Sequence, residues 1–412
     1  MRCVLLLAPH NSYRIHAYIE AALHLDIRLI IASQSEHSLV SAVASGVQVD
    51  FSDEVLSIER LLAAHKKFNF DAIVASDDSA VKLAAKVGEA LGLFTNASDS
   101  ALLTQRKDLS RKRLQEKGLP TPAFRIVNLD TELASQLKAL HYPAVVKPLS
   151  LSGSKGVIRV DDVRTCISAC ERVKPIIANS ASEFERSHVL VESFIEGDEV
   201  AFEGILHNGQ LTQLAIFDKP EQMNGPYFEE SYYITPSRHT AQWQQKITKC
   251  VAEVCRGFGL REGPIHAELR LHNNEAWLIE IASRTIGGDC ADMLKFGLNI
   301  GIEELVLLQA LGKPVELSAL DGSVGVLMIP VPSRGVLRRV EGLKQASEVP
   351  YITEIGISVR EGYELVPLPE GSSYLGFIFA KAPTAEAVEN ALRCAHQRLN
   401  IVTTPVFKLE KI

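Results

Sequence analysis

Glu268 and Glu280 lie in IHAELRLHNNEAWLIEIASR, residues 265–284, and are the side chains of this sequence best spaced for chemistry. Ile265, Ala267, Leu269 and Leu271 alternate with His266, Glu268 and Arg270. That period of two predicts a strand with one apolar face and one chemically equipped face. Asn273 and Asn274 tolerate positive φ and suit a turn. Trp277, Ile279 and Ile281 then mark a second strand. If the loop holds an odd number of residues, Glu268 stands directly opposite Glu280; an even loop puts the two carboxylates on opposite faces. Like charges directly opposed destabilise a hairpin. A divalent cation between them reverses that sign, and Mg²⁺ is held by one or two carboxylates together with substrate phosphates. The bland alternative is a solvated hairpin with two surface glutamates.

Three other stretches carry polar groups in patterns that suit a nucleotide. LSLSGSKG, residues 149–156, offers consecutive backbone amides at Ser152, Gly153, Ser154, Lys155 and Gly156, and such runs form concavities for anions. It is not a Walker loop, and taken alone a plain glycine turn is the more ordinary reading. Lys147 ends the apolar run of YPAVVK, a pre-positioned charge suited to phosphate; a lysine snorkelling to the surface is its ordinary alternative. In VLVESFIEGDE, Ser193 to Ile195 can offer backbone groups to an adenine edge, and Glu199 can accept from ribose hydroxyls.

The elements that must position these residues follow from pattern. Residues 3–8, 27–32 and 71–76 read as strands alternating with helices at 13–25, 58–68 and 80–91, which argues for a parallel sheet. No Gly-x-Gly-x-x-Gly follows the first strand, so this unit lacks the dinucleotide fingerprint. A single helix is expected over 102–117, closed by Gly118. Its basic residues Arg106, Lys107, Arg111, Lys112 and Arg113 read as one helix face. Strands are expected at 142–148, 156–160, 188–194 and 199–206. A helix over 242–257 carries Ile247, Val251, Val254 and Phe258 on one stripe. Residues 302–311 read as a helix. The last hundred or so residues read as a separate α+β unit with strands at 324–331, 352–359 and 374–381 and a closing helix at 384–399.

Composition bounds the function. The chain has 412 residues, 46% apolar and 23% charged, which describes a soluble protein of several domains. A net charge of −7 gives no electrostatic case for nucleic acid or an anionic membrane. No apolar run reaches the roughly 18 residues of a membrane helix, and MRCVLLLAPH reads as a first strand rather than a leader. Seven scattered cysteines, without Cys-x-x-Cys pairs, suit free thiols in a reducing cytoplasm.

Taken in order, these pieces resemble the ATP-grasp superfamily over roughly residues 70–310. DAIVASDDSAVKLAA, TQRKDLSRKRLQEKGLPTP, YPAVVKPLSLSGSKGV, VLVESFIEGDEVAFEGIL and HAELRL with WLIEIASRTIGGD carry the resemblance. Within it the chain looks most like carboxylate–amine ligases of the L-amino-acid (dipeptide) ligase type. The resemblance implies an α/β and α+β architecture: a Rossmann-like domain over 1–98, ATP-grasp lobes over 99–190 and 191–312, and a C-terminal α+β domain over 313–412. It implies ATP with Lys107 and Lys147 on its phosphates, the loop Ser150 to Gly156 closing over the γ-phosphate, Ser154 and Lys155 near the chemistry, Glu192, Ser193, Phe194 and Ile195 along adenine, and Glu199 on ribose. Mg²⁺ (or Mn²⁺) falls to Glu268 and Glu280, and the transferred phosphoryl group to Arg284. His266 supports Glu268 rather than acting as a base.

The implied reaction joins two small-molecule amino acids through an acyl phosphate, releasing ADP and phosphate. Glu229, Glu230, Lys219 and the Gly287-Gly288 turn are candidates for substrate contacts. Arg334, Arg338 and Arg339 can meet a carboxylate, with a solvated basic strand as the alternative. A homodimer is the expectation for oligomeric state. One departure stands out: many relatives place an Asn where this chain has Ala282. The rival readings are a biotin-carboxylase-like or glycinamide-ribonucleotide-synthetase-like step, or a nucleotide-binding module without chemistry.

Overall fold

The architecture was read from a computed structural model, which describes every residue except 11, 35–44, 295–299, 314, 316, 318–320, 372–373 and 408–412. Strands Cys3–Leu7, Arg28–Ser33, Ser45–Gln48 and Ala72–Ala75 pair in parallel, with Cys3–Leu7 between Arg28–Ser33 and Ala72–Ala75. Every residue of CVLLL is buried, as a parallel strand covered on both faces requires. Helix Asp78–Leu91 follows the last of these strands, and its first residue, Asp78, lines the cavity described below.

The single helix expected over 102–117 is two. Ser98–Gln105 and Lys107–Glu116 meet at Arg106, which is extended at φ −109° and ψ 104°. Local contacts hold the break. Arg106 donates to both oxygens of Asp108 at 2.9 and 3.0 Å and sits 5.5 Å over the Phe184 ring. The Lys107 amide, freed at the start of a new helix, donates to the Leu149 carbonyl at 2.9 Å. Lys107 is thereby anchored beside the Ser/Gly loop.

A four-stranded antiparallel sheet, Phe124–Asn128, His188–Ser193, Ala144–Pro148 and Ile158–Val160 in spatial order, forms the small lobe. Helix Val163–Ile176 packs Cys166, Ala169, Cys170 and Val173 onto it. The larger sheet has eight strands in the order Glu275–Ala282, Gly263–His272, Asp198–His207, Gln210–Asp218, Tyr232–Thr235, Ser323–Ile329, Gly376–Ala382 and Ile352–Ile357. The C-terminal stretch is therefore joined to the preceding lobe strand to strand, through Tyr233 opposite Val326, rather than standing apart. Helix Ala241–Phe258 covers the hairpin end, burying Ile247, Val251, Val254 and Phe258 on the stripe its sequence marks. Each such side chain contributes about 1.5–3 kcal/mol on leaving water. The seven cysteines are free, and no helix among the described residues is long and apolar enough to cross a membrane.

Candidate active site

The carboxylate hairpin turns at Asn273 and Asn274, with φ of 49° and 62°. Two successive positive-φ residues make the tight turn whose twist matches a hairpin. The loop is thus even, and by parity Glu268 and Glu280 should face apart. They do not. Pairing runs regularly from His272 opposite Glu275 to Leu269 opposite Leu278, then slips so that Glu268 stands opposite Glu280 and His266 opposite Ala282. Ile279 is the extra residue, a β-bulge that returns Glu280 to the face of Glu268. The expectation that an even loop separates the pair is corrected by this slip.

Each of the two carboxylates already carries a lysine. Lys219 lies 3.5 Å from Glu268 and 2.8 Å from Glu199, and also contacts Glu230; its side chain is 2% exposed. Oxygens of Glu199, Glu230 and Glu268 lie within 4.8 Å of one another around it. Burial, followed by the charge of Glu268, pushes the Glu230 carboxyl up to about 7. Burial acts on Glu268 too, but Lys219 and His266 outweigh it and hold that carboxyl well below its usual range. Lys107 donates to Glu280 at 2.9 Å and to the Leu151 carbonyl at 2.7 Å. A hard divalent cation wants such oxygen donors. Here it would replace ammonium groups already drawn to the pair, so the donor set fits Mg²⁺. Ala282, 2% exposed, adds no further ligand.

The neighbouring strand supplies the supports. Glu203, Ala201 and Glu199 of Asp198–His207 stand opposite His266, Glu268 and Arg270. Glu203 bonds His266 Nδ1 at 3.0 Å and the Ile286 amide at 3.0 Å. Burial opposes a charge on His266, but Glu203 and Glu268 raise its pKa. Arg270 donates to Glu199 at 2.9 Å and to the Ile195 carbonyl at 2.8 Å, and lies 4.7 Å over the Phe194 ring. Glu199 and Glu203 sit four residues apart, on either side of Ala201, on one face of an otherwise apolar strand, and that acidic spacing was the signal by which Glu203 could have been found.

The nucleotide side departs from expectation at Glu192, and Glu199 likewise has both oxygens engaged, by Lys219 and Arg270. Glu192 lines the cavity, but both its oxygens are taken: Arg111 donates to them at 2.7 and 3.2 Å, and Lys147 lies 2.5 Å from one. Burial penalises this carboxylate, yet Arg111 and Lys147 hold its pKa down to about 2. Its side chain is a tether for two cations rather than a free contact for a base. The amides of Ser193 and Phe194 are likewise engaged, by the carbonyls of Ala123 and Pro143. Arg111, one of the basic residues read from sequence as one helix face, is 2% exposed.

One cavity of roughly 610 Å³ gathers most of the expected residues: Lys107, Lys147, Ser152, Gly153, Ser154, Glu192, Ser193, Phe194, Ile195, Glu199, Glu230, His266, Glu268, Glu280, Arg284, Gly287 and Gly288. Lys155 and Gly156 do not line it. Gly156 is buried against Pro148, with its amide on the Pro369 carbonyl at 2.8 Å. Lys219 lies behind Glu199 and Glu230, and Glu229 turns away to accept from the Val331 amide at 3.3 Å. Arg334 pairs with Glu364 and Arg339 with Glu341, both on the surface. Arg284 donates to Asp78 at 3.0 and 3.1 Å, and burial is outweighed by that partner in raising its pKa. Arg14, missed in the sequence, binds Thr285 and the Ile286 carbonyl from the first domain. Ser12, Asp77 and Asp78 complete that wall, and Met328, Tyr374 and Phe377 form the C-terminal one.

Comparison with known proteins bears directly on this arrangement. Residues 140–293 match the ATP-grasp domain model and 19–95 the ATP-grasp N-terminal domain model. The chain belongs to the ATP-grasp superfamily. Residues 327–404 match the L-amino acid ligase C-terminal domain 2. The chain is 27% identical over 278 residues to the alanine–anticapsin ligase of Bacillus subtilis (strain 168), a match that takes in 63% of this chain and 58% of that ligase. It is 21% identical to the L-arginine-specific L-amino acid ligase of Bacillus subtilis over 79% of this chain and 78% of the relative. Among solved structures, the L-amino acid ligase from Bacillus licheniformis superposes with a TM-score of 0.82 at 26% identity, covering 98% of this chain and 99% of that one. This ATP-grasp chain thus shares its fold end to end with an L-amino acid ligase.

Proposed function

We propose that the chain is an ATP-dependent carboxylate–amine ligase that joins two amino acids. The observation that carries the reading is the bulged hairpin, which turns two carboxylates onto one face of a cavity that also holds Lys107, Lys147 and Arg284. The named relatives support the substrate class. A carboxylate oxygen of the first amino acid attacks the γ-phosphorus of ATP, the bond to ADP breaks, and an acyl phosphate forms. The amine of the second attacks the acyl carbon, phosphate departs with the bonding pair, and the amine loses a proton as the amide forms.

Bringing two anions together makes positioning and charge neutralisation the task of the site. A cation 4 Å from the developing charge at an effective dielectric of ~20 supplies about 4 kcal/mol, roughly three powers of ten in rate. Lys147 is aimed by Glu192, Lys107 by the Leu151 carbonyl, and Arg284 by Asp78. Mg²⁺, held by Glu268 and Glu280, would supply further charge neutralisation at the phosphates. The loop bearing Ser152, Gly153 and Ser154 is placed to keep water from the acyl phosphate. Glu230, which already holds Lys219 and lines the cavity with Tyr374 and Phe377, is the candidate partner for a substrate ammonium.

The test is isotopic. With a first amino acid carrying heavy oxygen in its carboxylate, one labelled oxygen should appear in the released phosphate for each amide formed. Unlabelled phosphate alongside amide synthesis would refute the acyl phosphate.

A further inference from the structure

We propose that Arg111 is a positioning residue that couples the phosphate-binding lysine to the metal-binding carboxylate by clamping the bulge at Ile279. The inference rests on the proposed reading of Glu280 as a metal ligand. Arg111 Nε donates to Glu192 Oε2 at 2.7 Å. Its Nη2, which carries two hydrogens, reaches Glu192 Oε1 at 3.2 Å and the Ile279 carbonyl at 2.7 Å. Glu192 Oε1 is also the oxygen that Lys147 holds at 2.5 Å. A continuous path therefore runs from Lys147 through Glu192 and Arg111 to Ile279, the residue before Glu280, and from Glu280 to Lys107.

The acceptor is a special one. Ile279 is the residue that the hairpin ladder skips, and a bulged residue is left unpaired by the partner strand. Leaving this part-buried carbonyl without a donor would disfavour the bulge. Without the bulge, parity turns Glu280 away from Glu268. Arg111 is 2% exposed and Glu192 3%, so water does not readily replace the guanidinium. The task needs a planar fork: lysine presents one compact ammonium and cannot hold both carboxylate oxygens and a carbonyl in a plane. A helix-surface arginine would have none of these contacts. Arg111 also lies four positions beyond Lys107, so one helix face presents a cation to each end of the Ile279-Glu280 step.

The experiment compares the full-length wild type with Arg111→Lys, using calorimetric binding of ADP, first in chelator and then across a Mg²⁺ titration. Thermal melting checks that the variant is folded. The expected result is metal-free ADP binding within about three-fold of wild type, with the Mg²⁺ concentration for half-maximal enhancement raised about ten-fold or more, the scale of losses when a ligand's outer support is removed. A folded variant with the wild-type Mg²⁺ midpoint overturns the proposal. So does equal weakening of metal-free and metal-dependent binding, which marks a mere brace. If Arg111→Lys does not fold, Arg111→Gln is read by the same titration and the same criteria. A wild type whose ADP binding ignores Mg²⁺ overturns the metal reading itself and the inference with it.

Discussion

Replacing Glu192 by Gln removes the one anion between Arg111 and Lys147 while keeping size and a hydrogen-bonding end. The size of the effect follows from the burial and the two partners. The carboxyl is displaced from 4.5 to about 2. At ~1.36 kcal/mol per unit, that displacement corresponds to about 3 kcal/mol of folded-state stabilisation at neutral pH. Breaking a buried ion pair from one side costs about 3–5 kcal/mol by direct comparison, so the two routes agree. Because the folded pKa is depressed, this contribution is complete above pH 4.5 and is lost as pH falls toward 2. Urea unfolding of wild type and Glu192→Gln, followed by tryptophan fluorescence, reads it; Trp277 sits on the hairpin that Arg111 touches. The expected gap is about 3–5 kcal/mol at pH 7, narrowing as the solution is acidified through the 4.5-to-2 window. A gap below about 1 kcal/mol at pH 7, the value of a surface pair, would refute the reasoning. A gap indifferent to acid would do the same.

Four further outcomes are expected. Glu280→Gln should lower ADP release by about three powers of ten, on the charge argument above; turnover at the wild-type level would remove Glu280 from the metal site. Arg14→Met should lower the rate about a hundred-fold through misplacement of the Thr285–Ile286 segment while leaving ADP affinity within about three-fold, measured by calorimetry. Phe377→Ala should change which amino-acid side chains are accepted without altering the KM for ATP, because Phe377 packs against Gly288 on the C-terminal wall; an unchanged substrate profile would move the side-chain pocket elsewhere. Non-hydrolysable ATP with Mg²⁺ should slow tryptic cleavage after Lys155, measured by mass spectrometry, if the Ser/Gly loop closes over phosphate.

What the sequence disclosed is what periodicity and residue type can encode. The alternation around Glu268, the stripe on Ala241–Phe258 and the parallel first sheet all follow from local pattern. The bulge at Ile279 does not, because WLIEIA reads as an unbroken strand and the slip exists only relative to Gly263–His272. Arg111 was hidden for a similar reason. A basic run looks solvated until Glu192, 81 positions away, is folded against it. The helix break at Arg106 depends on Phe184 as well as on its own Asp108, so half of its cause is distant. Lys219 was legible as a polar candidate, yet its place at the centre of Glu199, Glu230 and Glu268 joins three stretches that the sequence assigned to three separate tasks. The continuous eight-stranded sheet was also unreadable, since Tyr232–Thr235 is a short strand whose partner Ser323–Ile329 lies far along the chain.

The central claim is tested most directly by ADP release from Mg²⁺-ATP across a matrix of single and paired L-amino acids. The account predicts that turnover appears only with particular pairs, that ADP rather than AMP is formed, and that amide and ADP accumulate one for one. ATP bound with no pair in the matrix raising ADP release above background, or ADP released without any amide, would contradict it.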